Sequence, residues 1–395
     1  MNKTVLRASA VTLAVVWAYF GGTAQAPAHQ EGVTATTATT RIVRAASTFL
    51  SSLDAKQRQR VLYAFNDNEQ RARWSNFPIV MVPRGGISIK EMTPAQRDAA
   101  MAVIAAALSP RGFEKVQQIM EGDEVNQRTD QGPGPGPGGG FPGAPLDDKD
   151  NNRRPVLSGV PPNGPNAPGR PPFGDGPIFG RDLYYISILG TPSEKTPWML
   201  QFGGHHLALN ITIAGDEGVL TPTLTGAQPA LYTVNGKTVR PLGKESDKAF
   251  GLLQSLNENQ RKQAILSYHL ADLVLGPGQD GKTIVPEGLK ASAMTERQRT
   301  MLLDLMAEWA GIIHESAAAA RMAELEADLD QTWFAWSGPV TVKPGSNITA
   351  YYRIQGPHVV IEYAPQNLGG DPSLHVHTMY RDPTNDYGIK FTAAR

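Results

Sequence analysis

The chain of 395 residues carries 37 Lys+Arg against 37 Asp+Glu and contains no cysteine. A balanced charge leaves no electrostatic footprint for DNA, RNA or anionic lipid. The missing thiols exclude disulfide scaffolds, cysteine-ligated zinc, iron–sulfur clusters and a lipoprotein anchor, so any metal must be held by His, Asp, Glu or backbone oxygen.

Residues 1–26 read as a secretory signal peptide: Lys3 and Arg7 form a basic start, Ala8 to Phe20 an apolar run, and Ala24-Gln25-Ala26 a small-x-small cleavage pattern. The run is shorter than the about 20 residues that a membrane span needs, which predicts an exported, secreted or periplasmic protein with no stable membrane insertion after cleavage. A flexible stretch follows at 27–41, then a helical block at 42–131. From 132 to 180 the sequence holds 13 Gly and 13 Pro in 49 residues, a composition that sustains neither helix nor ladder strand and reads as a disordered insertion. A β-rich block is predicted at 181–243, a second helical block at 244–330 and a second β-rich block at 331–395.

These blocks read as a duplication. Ser52-Leu53-Asp54-Ala55-Lys56-Gln57-Arg58 resembles Ser255-Leu256-Asn257-Glu258-Asn259-Gln260-Arg261. Met92-Thr93-Pro94-Ala95-Gln96-Arg97 likewise resembles Met294-Thr295-Glu296-Arg297-Gln298-Arg299 at nearly the same offset. Each is a helix start, with Asp54, Asn257, Thr93 and Thr295 as caps. Strands are predicted at 183–189, 198–202 and 207–213 in one half, and at 332–336, 351–355 and 359–363 in the other. The expected fold is therefore α+β: two duplicated halves, 42–230 and 244–390, each a helix pair plus antiparallel sheet, packed as one pseudo-twofold compact unit.

Histidine carries the chemical signal. Of eight, four fall in two clusters, His205-His206 and His375-Val376-His377. Residues i and i+2 of a strand share a face, so His375 and His377 can present both rings to one ion. Adjacent His205 and His206 point to opposite faces if extended, so one of them is expected to join, and Gly203-Gly204 before them permits a sharp turn or close approach. Glu362 is a candidate to complete a His/carboxylate set for zinc, with copper or iron as other divalent choices. A non-metal acid/base site and a structural role for the same residues remain open. His269 is read as helical, ahead of a glycine-rich turn.

The segment Tyr380-Arg381-Asp382-Pro383-Thr384-Asn385-Asp386-Tyr387-Gly388 is first a tight turn, and second a source of Arg381 for substrate charge and Asp386 for proton transfer. His314-Glu315 lacks the second histidine of the zincin helix, Ala318 standing there, and no nucleophile elbow or P-loop occurs. Asn210 and Asn347 open glycosylation sequons that fit strands better.

Phe202-Gly203-Gly204-His205-His206-Leu207, Tyr352-Arg353-Ile354-Gln355-Gly356-Pro357, Ile361-Glu362-Tyr363 and His375-Val376-His377 with Tyr380-Arg381-Asp382-Pro383 together resemble a family of exported, mostly bacterial proteins of unknown function. The resemblance spans about residues 42 to 390 and implies no activity. From the residues, the leading expectation is a metal-dependent hydrolase. One divalent ion would sit on His375, His377 and one of His205/His206, with Glu362 as an optional further ligand, while Glu362 or Asp386 acts as base and Arg381 holds substrate. The alternative is a non-catalytic exported protein that binds a metal or another ligand. The expected partner is a small-molecule or cell-envelope substrate.

Overall fold

The computed structural model describes residues 37–129, 178–367 and 370–392. The expected signal peptide and nearly all of the Gly/Pro-rich stretch lie outside the described residues. Among those described, no helix is long and apolar enough to cross a membrane.

The helix starts follow from their caps. Asp54, Thr93, Asn257 and Thr295 each accept from the backbone N–H three residues on, and Gln57, Gln96, Gln260 and Gln298 at those positions reach back to the cap, forming four capping boxes. Helices α1 (Ala38–Ser52), α2 (Ala55–Val61), α3 (Pro94–Ala107) and α4 (Pro110–Thr129) precede strands β1 (Tyr185–Leu189), β2 (Trp198–Gly204), β3 (Leu207–Ala214) and β4 (Thr223–Ala227). Helices α5 (Gly243–Ser255), α6 (Glu258–Ala264), α7 (Glu296–Ala310) and α8 (Glu315–Ala327) precede β5 (Trp333–Ser337), β6 (Tyr351–Gly356), β7 (Val359–Pro365) and β8 (Val376–Arg381). Gln96 Nε2 donates to the Ser52 carbonyl at 2.9 Å and Gln298 Nε2 to the Ser255 carbonyl at 2.8 Å, tying each long helix pair at the same place.

The eight strands form the centre of one twelve-stranded sheet in the order β1-β2-β3-β4-β8-β7-β6-β5, with short strands at its margins. These eight pair antiparallel, and β4 meets β8 at the middle with Gly226 opposite His377 and Thr225 opposite Thr378. The α+β class is as expected, with one mixed sheet, since Leu62–Tyr63 joins β1 in parallel.

One sheet face is covered by helices. Ile42, Phe49, Val103 and Ile104 pack on Ile186, Ile188, Leu200 and Phe202 in one apolar cluster, and Leu252, Leu302, Leu305 and Trp309 pack with Tyr352, Ile361, Val376 and Tyr380 in another. The opposite face is covered by two irregular segments, whose Trp74 and Leu273 join Ala208, Leu224 and Met379 in a third cluster. Period-two alternation along β8 therefore sends Val376, Thr378 and Tyr380 to the helices, and His377, Met379 and Arg381 to the loop face. Trp309 Nε1 donates to Thr378 Oγ1 at 3.0 Å and fixes that orientation.

Two sequence readings change. His269 lies in an irregular segment and is exposed, because α6 ends at Ala264. Asn347 lies in a loop, where its Nδ2 donates to the carbonyls of Ala230 and Ser373, whereas Asn210 is inside β3 as expected. Both asparagines are buried.

Candidate metal centre

The β2–β3 hairpin closes through His205-His206, with Gly204 paired to Leu207. His206 takes φ 59, a left-handed conformation that costs a non-glycine residue roughly 1–2 kcal/mol. The bend falls there rather than at the preceding glycines, whose contribution is close approach. A Cβ on Gly203 would stand 2.4 Å from the Leu207 carbonyl oxygen, and one on Gly204 would meet the Leu183 carbonyl oxygen at 2.8 Å.

That bend turns His206 across the sheet towards the start of β8. Its Nε2 stands 2.9 Å from Nε2 of His375 and 3.0 Å from Nε2 of His377, while the latter two are 3.1 Å apart. The three rings thus aim one nitrogen each at a common point. Gly226 makes room for this, since a Cβ there would meet His206 Cδ2 at 2.9 Å and the Val376 carbonyl oxygen at 2.8 Å. All three histidines are buried. Burial, reinforced by the neighbouring imidazoles, holds His206 and His375 well below the ordinary histidine pKa and favours their neutral, ligating form.

Around this triangle lie groups that sequence reasoning missed. Asp272 Oδ1 lies 3.6 Å from His377 Nδ1 and accepts from Gln366 Nε2 at 2.9 Å. Burial pushes the Asp272 pKa up, but contact with His377 and two further hydrogen bonds bring it below the usual carboxylate value. Asn76 Nδ2 is 3.3 and 3.4 Å from the two ring nitrogens of His377. The Nδ1 atoms of His206 and His375 are buried without a partner among the described residues.

His205 stands apart from the triangle although its ring centroid is 3.7 Å from that of His206. Its Nδ1 pairs with Asp123 Oδ1 at 2.7 Å, and Tyr184 donates to Asp123 Oδ2 at 3.0 Å. Asp123 is brought from α4, some eighty residues earlier, and no local pattern marks it. Asp123, His205 and His206 form a second potential ligand group.

The expected carboxylate and arginine partners are engaged elsewhere. Glu362 Oε1 accepts from the Val274 N–H at 2.7 Å and the Tyr351 hydroxyl at 2.7 Å, and Oε2 from the Leu275 N–H at 2.8 Å. Burial raises its pKa against these hydrogen bonds. Arg381 donates to the carbonyls of Leu275 (2.7 Å) and Gly276 (3.0 Å) and to Asp280 (2.9 Å) and Asp386 (2.8 Å). Asp386 Oδ1 also accepts from the Asp382 N–H at 2.9 Å. Glu362, Arg381 and Asp386 are thus a scaffold holding the 273–280 loop and the 382–386 turn, and the geometry gives none of them a place in the histidine triangle.

A third acidic group, Glu324, His358 and Asp382, already contains its cation. Arg321 donates to Asp382 Oδ2 at 3.0 Å and to the Tyr380 hydroxyl at 2.9 Å, and also pairs with Glu324.

Fold and site together define an α+β protein with a buried three-histidine cluster at the centre of its sheet. The chain belongs to the family described as "Protein of unknown function (DUF3500)", whose family model matches residues 35–389. No curated protein and no solved structure matches the chain.

Proposed function

We propose that this protein binds one divalent transition-metal ion, zinc foremost, on Nε2 of His206, His375 and His377, and that it is a metal-dependent hydrolase. The observation that carries the reading is the triangle of nitrogens with edges of 2.9, 3.0 and 3.1 Å. Three imidazoles aimed at one point cannot form straight N–H···N bonds along the edges, because each nitrogen has a single in-plane direction. A cation at the common point resolves the conflict. With nitrogen–zinc bonds of about 2.05 Å, edges of this length subtend about 94° at the ion, a facial arrangement that leaves the opposite side open. Catalytic zinc sites keep three protein ligands and an open position for water, whereas structural sites close with four. A water there would have its pKa lowered towards about 7, which makes it a nucleophile near neutral pH. Asp272, beside His377, is the nearest carboxylate to orient that ring.

The burial of all three histidines favours a second reading, a non-catalytic metal-binding protein. Cobalt substitution separates the two: an absorption spectrum that changes on adding azide or cyanide reports an open position and supports the hydrolase. An unresponsive spectrum supports the binding protein.

We further propose that the halves arose by duplication and face each other across a pseudo-twofold axis between β4 and β8. The mirrored strand order and the four capping boxes support this. On that reading the triangle straddles the axis, with His206 from one half and His375 and His377 from the other. Export through cleavage near residue 26 completes the proposal, and N-terminal sequencing of the mature protein tests it. The test of the function itself is metal content. One equivalent of zinc in protein from replete medium, lost in His375→Ala, is the expected result; metal-free protein whose melting is unmoved by Zn²⁺ or Cu²⁺ overturns it.

A further inference from the structure

We infer that Asn76 is a ligand-holding residue of the metal centre: its carboxamide binds the water or anion that takes the ion's open position. The inference rests on the metal reading proposed above and adds the protein group that meets the incoming ligand.

Asn76 lies in an irregular segment covering the loop face, the face on which the histidine triangle is built, and is only 5 % exposed. Its position is fixed from both sides. Trp74, two residues before it, belongs to the apolar cluster of Ala208, Leu224 and Met379. Arg84 Nη2 donates to the carbonyls that flank it, Ser75 at 2.8 Å and Phe77 at 2.6 Å, and to the Gly204 carbonyl at 2.9 Å. Gly204 immediately precedes His205-His206, so one guanidinium ties Asn76 to the hairpin that delivers His206. The other terminal nitrogen, Nη1, donates to the Val82 carbonyl. Such a clamp sets the side chain in place before any ligand arrives.

The carboxamide so placed is unsatisfied. Oδ1 is buried with no hydrogen-bond partner among the described residues. Nδ2 stands 3.3 Å from His377 Nδ1 and 3.4 Å from His377 Nε2. A donor nearly equidistant from the two ring nitrogens lies off the in-plane axis of both, so neither contact is a well-aligned bond. In the loaded site even these acceptors are lost. The Nε2 lone pair of His377 is committed to the ion, and Nδ1, which faces Asp272, carries the proton of the neutral ring. Both ends of a buried amide are then without partners, and turning the amide over leaves Nδ2 equally in need of an acceptor. Unpaired buried polar groups are costly, and a ligand on the ion relieves that cost. A water there can donate to Oδ1, and an anion can accept from Nδ2. Asn76 thus supplies a neutral donor of the kind that hydrolytic sites aim at developing negative charge, here an oxygen of an attacked carbonyl or phosphoryl group.

The test loads the full chain with cobalt and titrates it with azide, read from the visible spectrum, in wild type, Asn76→Ala and Asn76→Leu. Cobalt and zinc stoichiometry are measured on the same samples. The expected result is close to one equivalent of metal in all three, with the azide dissociation constant raised about tenfold or more in both variants. A merely structural Asn76 gives the opposite split, weakened metal binding with unchanged azide affinity in the loaded protein, and that result overturns the inference. Should Asn76→Ala lose metal by disturbing His377, Asn76→Leu, closer in volume, decides. Loss of metal from both variants also overturns it, because no bond to the ion is assigned to Asn76. A wild type that takes no metal refutes the metal reading, and a loaded wild type silent to azide refutes the open position; the inference falls with either. An azide-responsive wild type whose variants respond equally refutes this inference alone.

Discussion

Gly226→Ala tests whether the histidine triangle is a built site or a packing accident. Gly226 lies in β4 directly opposite His377, and the methyl it would gain points at His206. The new Cβ would stand 2.9 Å from His206 Cδ2 and 3.3 Å from His206 Cβ. Carbon atoms at rest are about 3.5–4.0 Å apart, so the ring must retreat by roughly 0.6 Å or more. Metal bond lengths tolerate about 0.2 Å of error, and the triangle loses its convergence. For the fold, overpacking costs about 1–3 kcal/mol, partly offset by the roughly 0.5–1 kcal/mol that alanine gains over glycine in a strand. We therefore expect a folded protein, destabilised by about 1–2 kcal/mol in chelator, whose zinc affinity falls about 10- to 100-fold. Competition with a chromophoric chelator and urea melts with and without EDTA measure the two effects separately. Unchanged zinc affinity together with the expected loss of apo-protein stability would refute the reasoning.

Two further predictions concern the frame. Lys115 of α4 and Glu245 of α5 form a nearly fully buried ion pair between the helical blocks; Lys115→Met alone should cost about 3–5 kcal/mol, whereas Lys115→Met with Glu245→Leu should restore wild-type stability or exceed it. Urea denaturation of the three proteins checks this, and a double variant as weak as the single one contradicts it. His314 is buried, and burial, with Arg41 adding to it, lowers its pKa below 6.5. Below pH 6.5 the unfolded chain takes up a proton that the folded chain refuses, so stability present above 6.5 is lost as pH falls, by at most about 1.4 kcal/mol per pH unit. His314→Gln should flatten that part of the profile, and identical wild-type and variant slopes between pH 7.5 and 5.5 would show the assignment to be wrong.

Much of this architecture is legible in the chain because its signals are local. Asp54, Thr93, Asn257 and Thr295 each announce a helix within four residues, and the strand ends fall within a few residues of the positions that alternation marks. The i, i+2 spacing of His375 and His377 puts both on the loop face, and that too is a local property. Partners set by tertiary contact are not legible. Asp123 lies mid-helix with nothing nearby to mark it, and Asn76 and Asp272 sit in irregular segments whose paths are fixed by Arg84, Glu362 and Arg381. Nearness in sequence to His375 and His377 marks Glu362, Arg381 and Asp386 as chemistry, since a charged side chain reads alike whether it holds a loop or a substrate. Only its hydrogen bonds distinguish the two. The choice of His206 over His205 likewise depends on one left-handed turn residue, which no spacing rule predicts.

The most direct test of the central claim is elemental analysis of the full chain, purified without chelator from zinc-replete medium, beside His206→Ala, His375→Ala and His377→Ala. The account predicts close to one equivalent of zinc in the wild type and far less in each variant, with chelation lowering the melting temperature of the wild type alone. Metal-free wild-type protein that gains no stability from Zn²⁺ or Cu²⁺, or variants that keep their full equivalent, would contradict it.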